Sequence, residues 1–153
     1  MSARNLLAPA DALALDHQLC FALYAASHAM TKAYRGLLEP LGLTYPQYLV
    51  MLVLWEGDGL TVNQLGARLG LDSGTLTPLL KRLEADGRLQ RRRDADDERR
   101  VRLQLSADGR ALRAKAAAVP EAMAAATGCG LDEIVPLVHR LHAVRQRLEA
   151  TSA

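Results

Sequence analysis

"TVNQLGARLGLDSGTLTPLLKRLEADGRLQRRRDADDERRVRLQLS", residues 61–106, changes its period midway, and that change decides the fold. The first half reads as two short helices. Thr61 and Gln64 form a capping box, in which the Thr61 hydroxyl accepts a backbone N–H and the Gln64 side chain reaches back. Gly70 then stops "VNQLGARLG". After "LDSG" a second helix is expected over roughly Thr75 to Ala85, ended by Gly87. Pro78 is tolerable there if Thr75 is the cap, and costly if the helix begins much earlier. Two short helices joined by a tight Gly-containing turn make a helix-turn-helix. Beyond Gly87 the period drops to two. "RLQRRR" (88–93) and "RRVRLQLS" (99–106) flank "DADDE", and Val101, Leu103 and Leu105 alternate with Arg102 and Gln104. That alternation predicts a two-stranded hairpin with a polar tip.

Upstream, Leu15, Leu19, Ala22, Ala26, Ala29, Ala33 and Leu37 recur at helical spacing, predicting an amphipathic first helix from about Leu13 to Leu38, ended by Pro40 and Gly42. "TYPQ" (Thr44 to Gln47) is another capping box and opens "YPQYLVMLVLWEG", apolar nearly all round and therefore expected in the core. Downstream, Ser106 is placed to cap an Ala-rich helix from about Ala107 to Thr127, bent or broken near Pro120. "TGCGLDE" interrupts it. A last amphipathic helix follows from about Asp132 to Ala150, with Leu137, Leu141, Val144 and Leu148 on one side. The whole predicts a mainly α chain with a small β-hairpin, a winged helix-turn-helix flanked by long terminal helices.

Composition narrows the function. The longest run of bulky apolar residues, Leu49 to Trp55, is far shorter than the roughly 20 residues a membrane-spanning helix needs. "MSARNLLAPADALALDHQ" is a poor secretory leader, broken by Asp11 and Asp16, so a cytoplasmic protein is expected. Two cysteines, Cys20 and Cys129, fit neither a disulfide scaffold nor a four-ligand zinc site, and should rest as thiols in a reducing compartment. His17, His28, His139 and His142 lack a carboxylate or Cys partner at coordinating spacing, so no metal and no cofactor are expected. The chain is 153 residues long with a net charge of +2, yet residues 61–115 alone carry thirteen Lys/Arg against eight Asp/Glu. A basic middle between acidic flanks suits a nucleic-acid footprint.

Each part of the winged motif has a physical task on double-stranded DNA. A helix fits the major groove, so the second helix can present Ser73, Thr75, Thr77, Lys81 and Arg82 to base edges and phosphates. A narrow hairpin can lay Arg99 into the neighbouring minor groove, and Arg91, Arg92 and Arg93 can hold phosphates. Asp97 is spaced to steady the Arg99 guanidinium. The plainer alternative is a solvated hairpin in which Asp94, Asp96, Asp97 and Glu98 neutralise the arginines.

The order of elements, together with "DERRVRLQLSADG" (Asp97 to Gly109) and "LDSGTLTPLLKRLEADG" (Leu71 to Gly87), resembles the MarR family of dimeric winged-helix regulators. "LDSGTLTPLLKRLE" is similar to the OhrR branch, the organic hydroperoxide resistance regulators. The resemblance implies a homodimer that binds a pseudo-palindromic operator, usually as a repressor. In that reading residues 13–43 and 107–150 are dimerisation helices and residues 44–106 the DNA-binding region, with its recognition helix at about 73–86 and wing at about 88–106. Apolar stripes at both ends of the chain agree independently with a dimer.

The resemblance also bears on the thiols. A free cysteine in an apolar helix is ordinarily an inert small hydrophobe. Cys20 and Tyr34 share a helix face but stand about 21 Å apart along it, so they cannot touch within one chain. Cys20, Tyr34 and Tyr45 nevertheless match the OhrR sensor site residue by residue, where the tyrosines come from the opposite subunit. Two phenols donating to a sulfur favour thiolate, the nucleophile toward peroxide oxygen. The same branch implies that Cys129, in its Gly-flanked loop, resolves the oxidised Cys20 of the other subunit, with organic hydroperoxides as oxidant. Two competitors are a MarR-type repressor released by a small aromatic ligand and, remotely, a thiol peroxidase, an enzyme with no use for the helix-turn-helix.

Overall fold

A computed structural model describes residues 12–152, so residues 1–11 of the N-terminal stretch, on which the leader expectation mostly falls, lie outside the described residues. Seven α-helices and one hairpin follow in the order α1 (Leu19–Leu38), α2 (Tyr45–Glu56), α3 (Val62–Leu69), α4 (Ser73–Ala85), β1 (Leu89–Arg93), β2 (Val101–Leu105), α5 (Ala107–Ala116), α6 (Val119–Thr127) and α7 (Leu131–Thr151). Short 3₁₀ turns precede α1 and α2. The α2 and α3 capping boxes form as the Thr-x-x-Gln spacing predicts, with Thr44 and Thr61 accepting from the backbone N–H of Gln47 and Gln64.

Two boundaries differ from the sequence expectation, and a third break falls near Pro120 as expected. The first helix begins at Leu19 rather than Leu13, because the Gln18 amide donates to the Ala12 and Ala14 carbonyls at 2.6 and 3.1 Å and holds a separate turn. Helix α4 starts at Ser73, capped by Asp72, which accepts the Thr75 N–H at 2.7 Å; Thr75 is inside the helix, and so is Pro78. The Ala-rich helix breaks at residues 117–118 into α5 and α6, with Pro120 in the first turn of α6, where a missing N–H costs nothing.

The core is built by Leu38, Met51, Leu54, Leu65, Leu76, Leu80, Leu83, Leu89 and Leu103 among others, so α2, α3, α4 and the hairpin pack on one apolar centre. Leu76, Leu80 and Leu83 are the inward stripe of α4. The hairpin is antiparallel with Leu89 opposite Leu105 and Arg93 opposite Val101. Two close approaches fix the packing, one at the turn between α3 and α4 and one where α5 meets the base of the hairpin. At Gly66 an added Cβ would lie 2.6 Å from the Leu71 carbonyl oxygen, and at Gly109 one would lie 2.0 Å from that of Arg88. The Trp55 indole N–H donates to the Gly109 carbonyl at 2.9 Å, joining α2 to α5. Among the described residues no single helix is long and apolar enough to cross a membrane.

The terminal helices behave differently from this core. Helix α7 has 21 residues and buries none, and in α1 only Leu38 is buried. Leu19, Tyr24, Met30, Val135, Leu137 and Leu148 stand exposed along them.

Candidate functional site

The basic surface is assembled from α3, α4 and the hairpin. On α4 the residues outside the Leu stripe span a broad arc, and the expected DNA-facing set is spread across it. Ser73 and Thr77 border a cleft of about 340 Å³ shared with Asn63, Arg91, Arg99 and Arg100. Thr75 and Lys81 are exposed. Arg82 lies at the other edge, ion-paired with Asp86 at 3.4 Å, and borders a cavity of about 750 Å³ with Thr31, Arg35 and Tyr45. The Thr77 hydroxyl donates to its own helix, at the Ser73 carbonyl.

The four wing arginines singled out from sequence divide among separate roles. Arg99 is 91 % exposed, and Asp97 grips it from below, accepting Nε at 3.1 Å and Nη2 at 3.3 Å. Those bonds, then the Arg99 backbone N–H, hold the Asp97 carboxyl below its ordinary range. Arg91 is drawn inward instead. Both its backbone N–H and its Nε reach Glu84 at 2.9 Å, so the hairpin is tied to α4, and Glu84 is correspondingly held below the usual carboxylate range. Arg92 faces the far side of the sheet, where it donates to Gln90 and stands opposite Arg102. Arg93 spans the tip to the Glu98 carbonyl.

The acidic tip is not merely neutralising. Asp94 is only 6 % exposed and accepts the Arg102 Nε at 2.8 Å and the Asp96 N–H at 3.0 Å. The Asp96 backbone bond, then Arg102, lowers its pKa. Arg102 continues to the Gly59 carbonyl at 2.9 Å, and Asp58 accepts from Leu105 N–H and Arg110, so the wing is braced at its base. Sequence reasoning missed Asn63 and Arg100 in the cleft and the bracing role of Asp94. Only Arg100, beside Arg99, carried a local signal.

The thiol and phenol residues are arranged in two groups. Cys20 sits in the first turn of α1, exposed on the uncovered helix. Fourteen residues on, Tyr34 is brought against Tyr45, the first residue of α2, with ring centroids 4.7 Å apart. A third phenol, Tyr48, lies 5.8 Å from Tyr34 and leads to Trp55 at 6.5 Å. Burial, reinforced by the neighbouring phenols, raises the Tyr34 pKa, and burial raises those of Tyr45 and Tyr48. The Tyr34 and Tyr45 hydroxyls have no hydrogen-bond partner among the described residues. Tyr24, one turn beyond Cys20, stacks on His28 at 4.3 Å. Its i+4 spacing from Cys20, and the i+3 spacing of Tyr48 from Tyr45, were the available signals for these two phenols.

Cys129 lies in the α6–α7 loop, half-buried, next to Gly128 in the left-handed conformation (φ 69°). Its thiol donates to the Thr127 carbonyl at 3.7 Å. Among the described residues no group of three or more His, Cys, Asp or Glu is arranged to hold a metal ion.

Comparison with known proteins converges on one class. The profile of the family described as Transcriptional regulator SarA/Rot matches residues 32–115. The chain is 54 % identical over 140 residues to the HTH-type transcriptional regulator TtmR of Methylorubrum extorquens, covering 92 % of this chain and 72 % of that protein. It is 53 % identical over 110 residues to the organic hydroperoxide resistance transcriptional regulator of Bacillus subtilis, covering 72 % and 75 % respectively. Among solved structures, AbfR of Staphylococcus epidermidis superposes with a TM-score of 0.75 at 36 % identity, over 89 % of this chain and 94 % of that one. AbfR has also been solved on DNA in reduced and overoxidised forms, where the TM-scores are 0.73 and 0.72, and with a disulfide formed, where it is 0.62.

Proposed function

The chain belongs to the SarA/Rot family of MarR-like winged-helix transcriptional regulators, and from that membership we propose that it is a homodimeric repressor released from its operator by organic hydroperoxides. One observation carries the reading: Cys20 stands bare on an apolar helix that its own chain leaves uncovered, while two phenols with unsatisfied hydroxyls are paired at the helix's far end. Antiparallel pairing of two α1 helices brings these ends together, and α7 supplies the remaining apolar cover. Residues 13–43 and 107–150 then dimerise, and residues 44–106 form the reading head.

In the reduced dimer Tyr34 and Tyr45 of one subunit donate to the Cys20 sulfur of the other and favour thiolate. The thiolate attacks the peroxide oxygen; the O–O bond breaks, the sulfur gains oxygen as sulfenic acid, and the alkoxide leaves as alcohol after taking a proton. A Cys129 thiol then displaces water to form an intersubunit disulfide. Gly128 and Gly130 give that loop the freedom to travel. Losing the phenol contacts shifts the two heads from their half-site spacing, and emptying an operator requires a coupling of several kcal/mol. A cytoplasmic setting keeps both thiols reduced at rest.

On DNA, Ser73, Thr75, Thr77, Lys81 and Arg82 present the α4 arc to the major groove, and Arg99, steadied by Asp97, enters the minor groove. Arg91, Arg92 and Arg93 add positive field on different sides of the wing. A second reading, release by a small aromatic ligand, is favoured by the cavity of about 750 Å³ with Arg35, Arg82 and Tyr45 on its walls. Gel shifts with DNA upstream of the chain's own gene separate the two. Cumene hydroperoxide should release the wild type and dithiothreitol should restore it, and Cys20→Ser should stay bound. Release of that variant by peroxide would sink the redox reading. A non-reducing gel should show a dimer band that disappears in Cys129→Ser.

A further inference from the structure

We propose that Tyr34 and Tyr45 are the site of an intrachain dityrosine, formed when the protein meets one-electron oxidants of the alkoxyl-radical class. The ring centroids are 4.7 Å apart and tilted by 34°, the closest tyrosine pair in the described chain. At that separation rotation of the rings about their side-chain bonds can carry an ortho carbon of one toward an ortho carbon of the other without moving either helix. Both rings are half-buried, open on one side, whereas Tyr48 is 2 % exposed and screened from solvent. Burial keeps both phenols protonated at neutral pH, and no hydrogen bond within the described chain holds either hydroxyl. Such phenols react by giving up a hydrogen atom.

The chemistry balances without further partners. Each alkoxyl radical takes one phenolic hydrogen atom and becomes an alcohol. The two tyrosyl radicals join through their ortho carbons, and each ring shifts its ring hydrogen to oxygen to regain aromaticity. Two tyrosines and two alkoxyl radicals thus give one dityrosine and two alcohols. The new carbon–carbon bond staples the last turns of α1 to the first residue of α2, and dithiothreitol cannot undo it. The inference rests on how this one chain places and exposes its two rings, and stands apart from the role of Cys20.

The full-length protein is treated with cumene hydroperoxide and at least two equivalents of ferrous iron, each ferrous ion giving one electron to one peroxide to yield cumyloxyl radical, hydroxide and ferric iron. Blue dityrosine fluorescence should appear and survive dithiothreitol. Trypsin should yield residues 33–35 joined to residues 36–68, two hydrogens lighter than their sum, with fragmentation assigning the bond to Tyr45. The linked chain should migrate as a monomer. Tyr45→Phe and Tyr34→Phe should abolish the product; Tyr48→Phe should keep it. Cys20→Ser should form it at least as readily, since a competing thiol is gone. Coupling through the exposed Tyr24, a linked dimer in place of a monomer, or no dityrosine at all overturns the proposal.

Discussion

Gly109→Ala reverses the usual sign of a helical glycine replacement. Replacing glycine by alanine within a helix ordinarily stabilises by up to about 1 kcal/mol, by restricting the unfolded chain. At Gly109 the new methyl would stand 2.0 Å from the Arg88 carbonyl oxygen, 3.0 Å from its carbon and 3.3 Å from Leu105 Cδ2. The first two are backbone atoms, so no side-chain rotation relieves the clash. Helix α5 must lift from the hairpin, straining the Trp55–Gly109 and Ser106–Gly109 hydrogen bonds. Overpacking of this kind costs about 1–3 kcal/mol, leaving a net loss of about 1 kcal/mol once the ordinary gain is subtracted. For a chain of this size that lowers Tm by roughly 2–4 °C. Gly36, also inside a helix, has nothing within 4 Å of an added Cβ, so Gly36→Ala should raise Tm slightly. Calorimetry of both variants at one protein concentration is the assay. An unchanged or raised Tm for Gly109→Ala would refute the close-approach reasoning.

Arg99→Ala should weaken operator binding and reduce the slope of log affinity against log salt by about one; an unchanged slope in fluorescence anisotropy would remove Arg99 from the DNA surface. Gly66→Ala pushes a methyl to 2.6 Å from the Leu71 carbonyl, so it should tilt α4 and lower DNA affinity, while sedimentation shows the same oligomer as the wild type. Acid should act on the head first. Asp72, Glu84, Asp94 and Asp97 all titrate below their ordinary ranges, so the stability they contribute is present above the unfolded carboxyl values, near pH 4, and is lost as pH falls through the depressed folded ones. Asp94→Asn should make the acid limb of a circular-dichroism stability profile shallower; an identical limb would count against it.

Much of this was legible in short-range patterns. Both Thr-x-x-Gln boxes, the Gly stops and the alternation of Val101, Leu103 and Leu105 are local signals, and the elements follow them. The errors arose where side chains compete over distance. Thr75 and Asp72 are both plausible caps, and Asp72 prevails because its carboxylate reaches the Thr75 N–H, which leaves Pro78 well inside the helix. Leu15 and Leu19 read as one continuous stripe, yet the Gln18 amide between them binds the preceding carbonyls and ends the turn there. Arg91, Arg92 and Arg93 read as one basic run, yet strand alternation sends neighbours to opposite faces, and Glu84 holds the first of them. The pairing of Tyr34 with Tyr45 crosses a helix corner that no spacing rule specifies.

Helix α7 has a consequence for how the chain behaves when diluted. An isolated helix much shorter than its 21 residues is marginal in water, and even one of this length draws most of its stability from packing. No α7 residue is fully buried against its own chain, and Ile134, Leu141 and Val144 are only half-covered, so in the proposed dimer the partner supplies the missing cover. Melting temperature should then rise with protein concentration, and low copy number would act on that dimer as a mild denaturant.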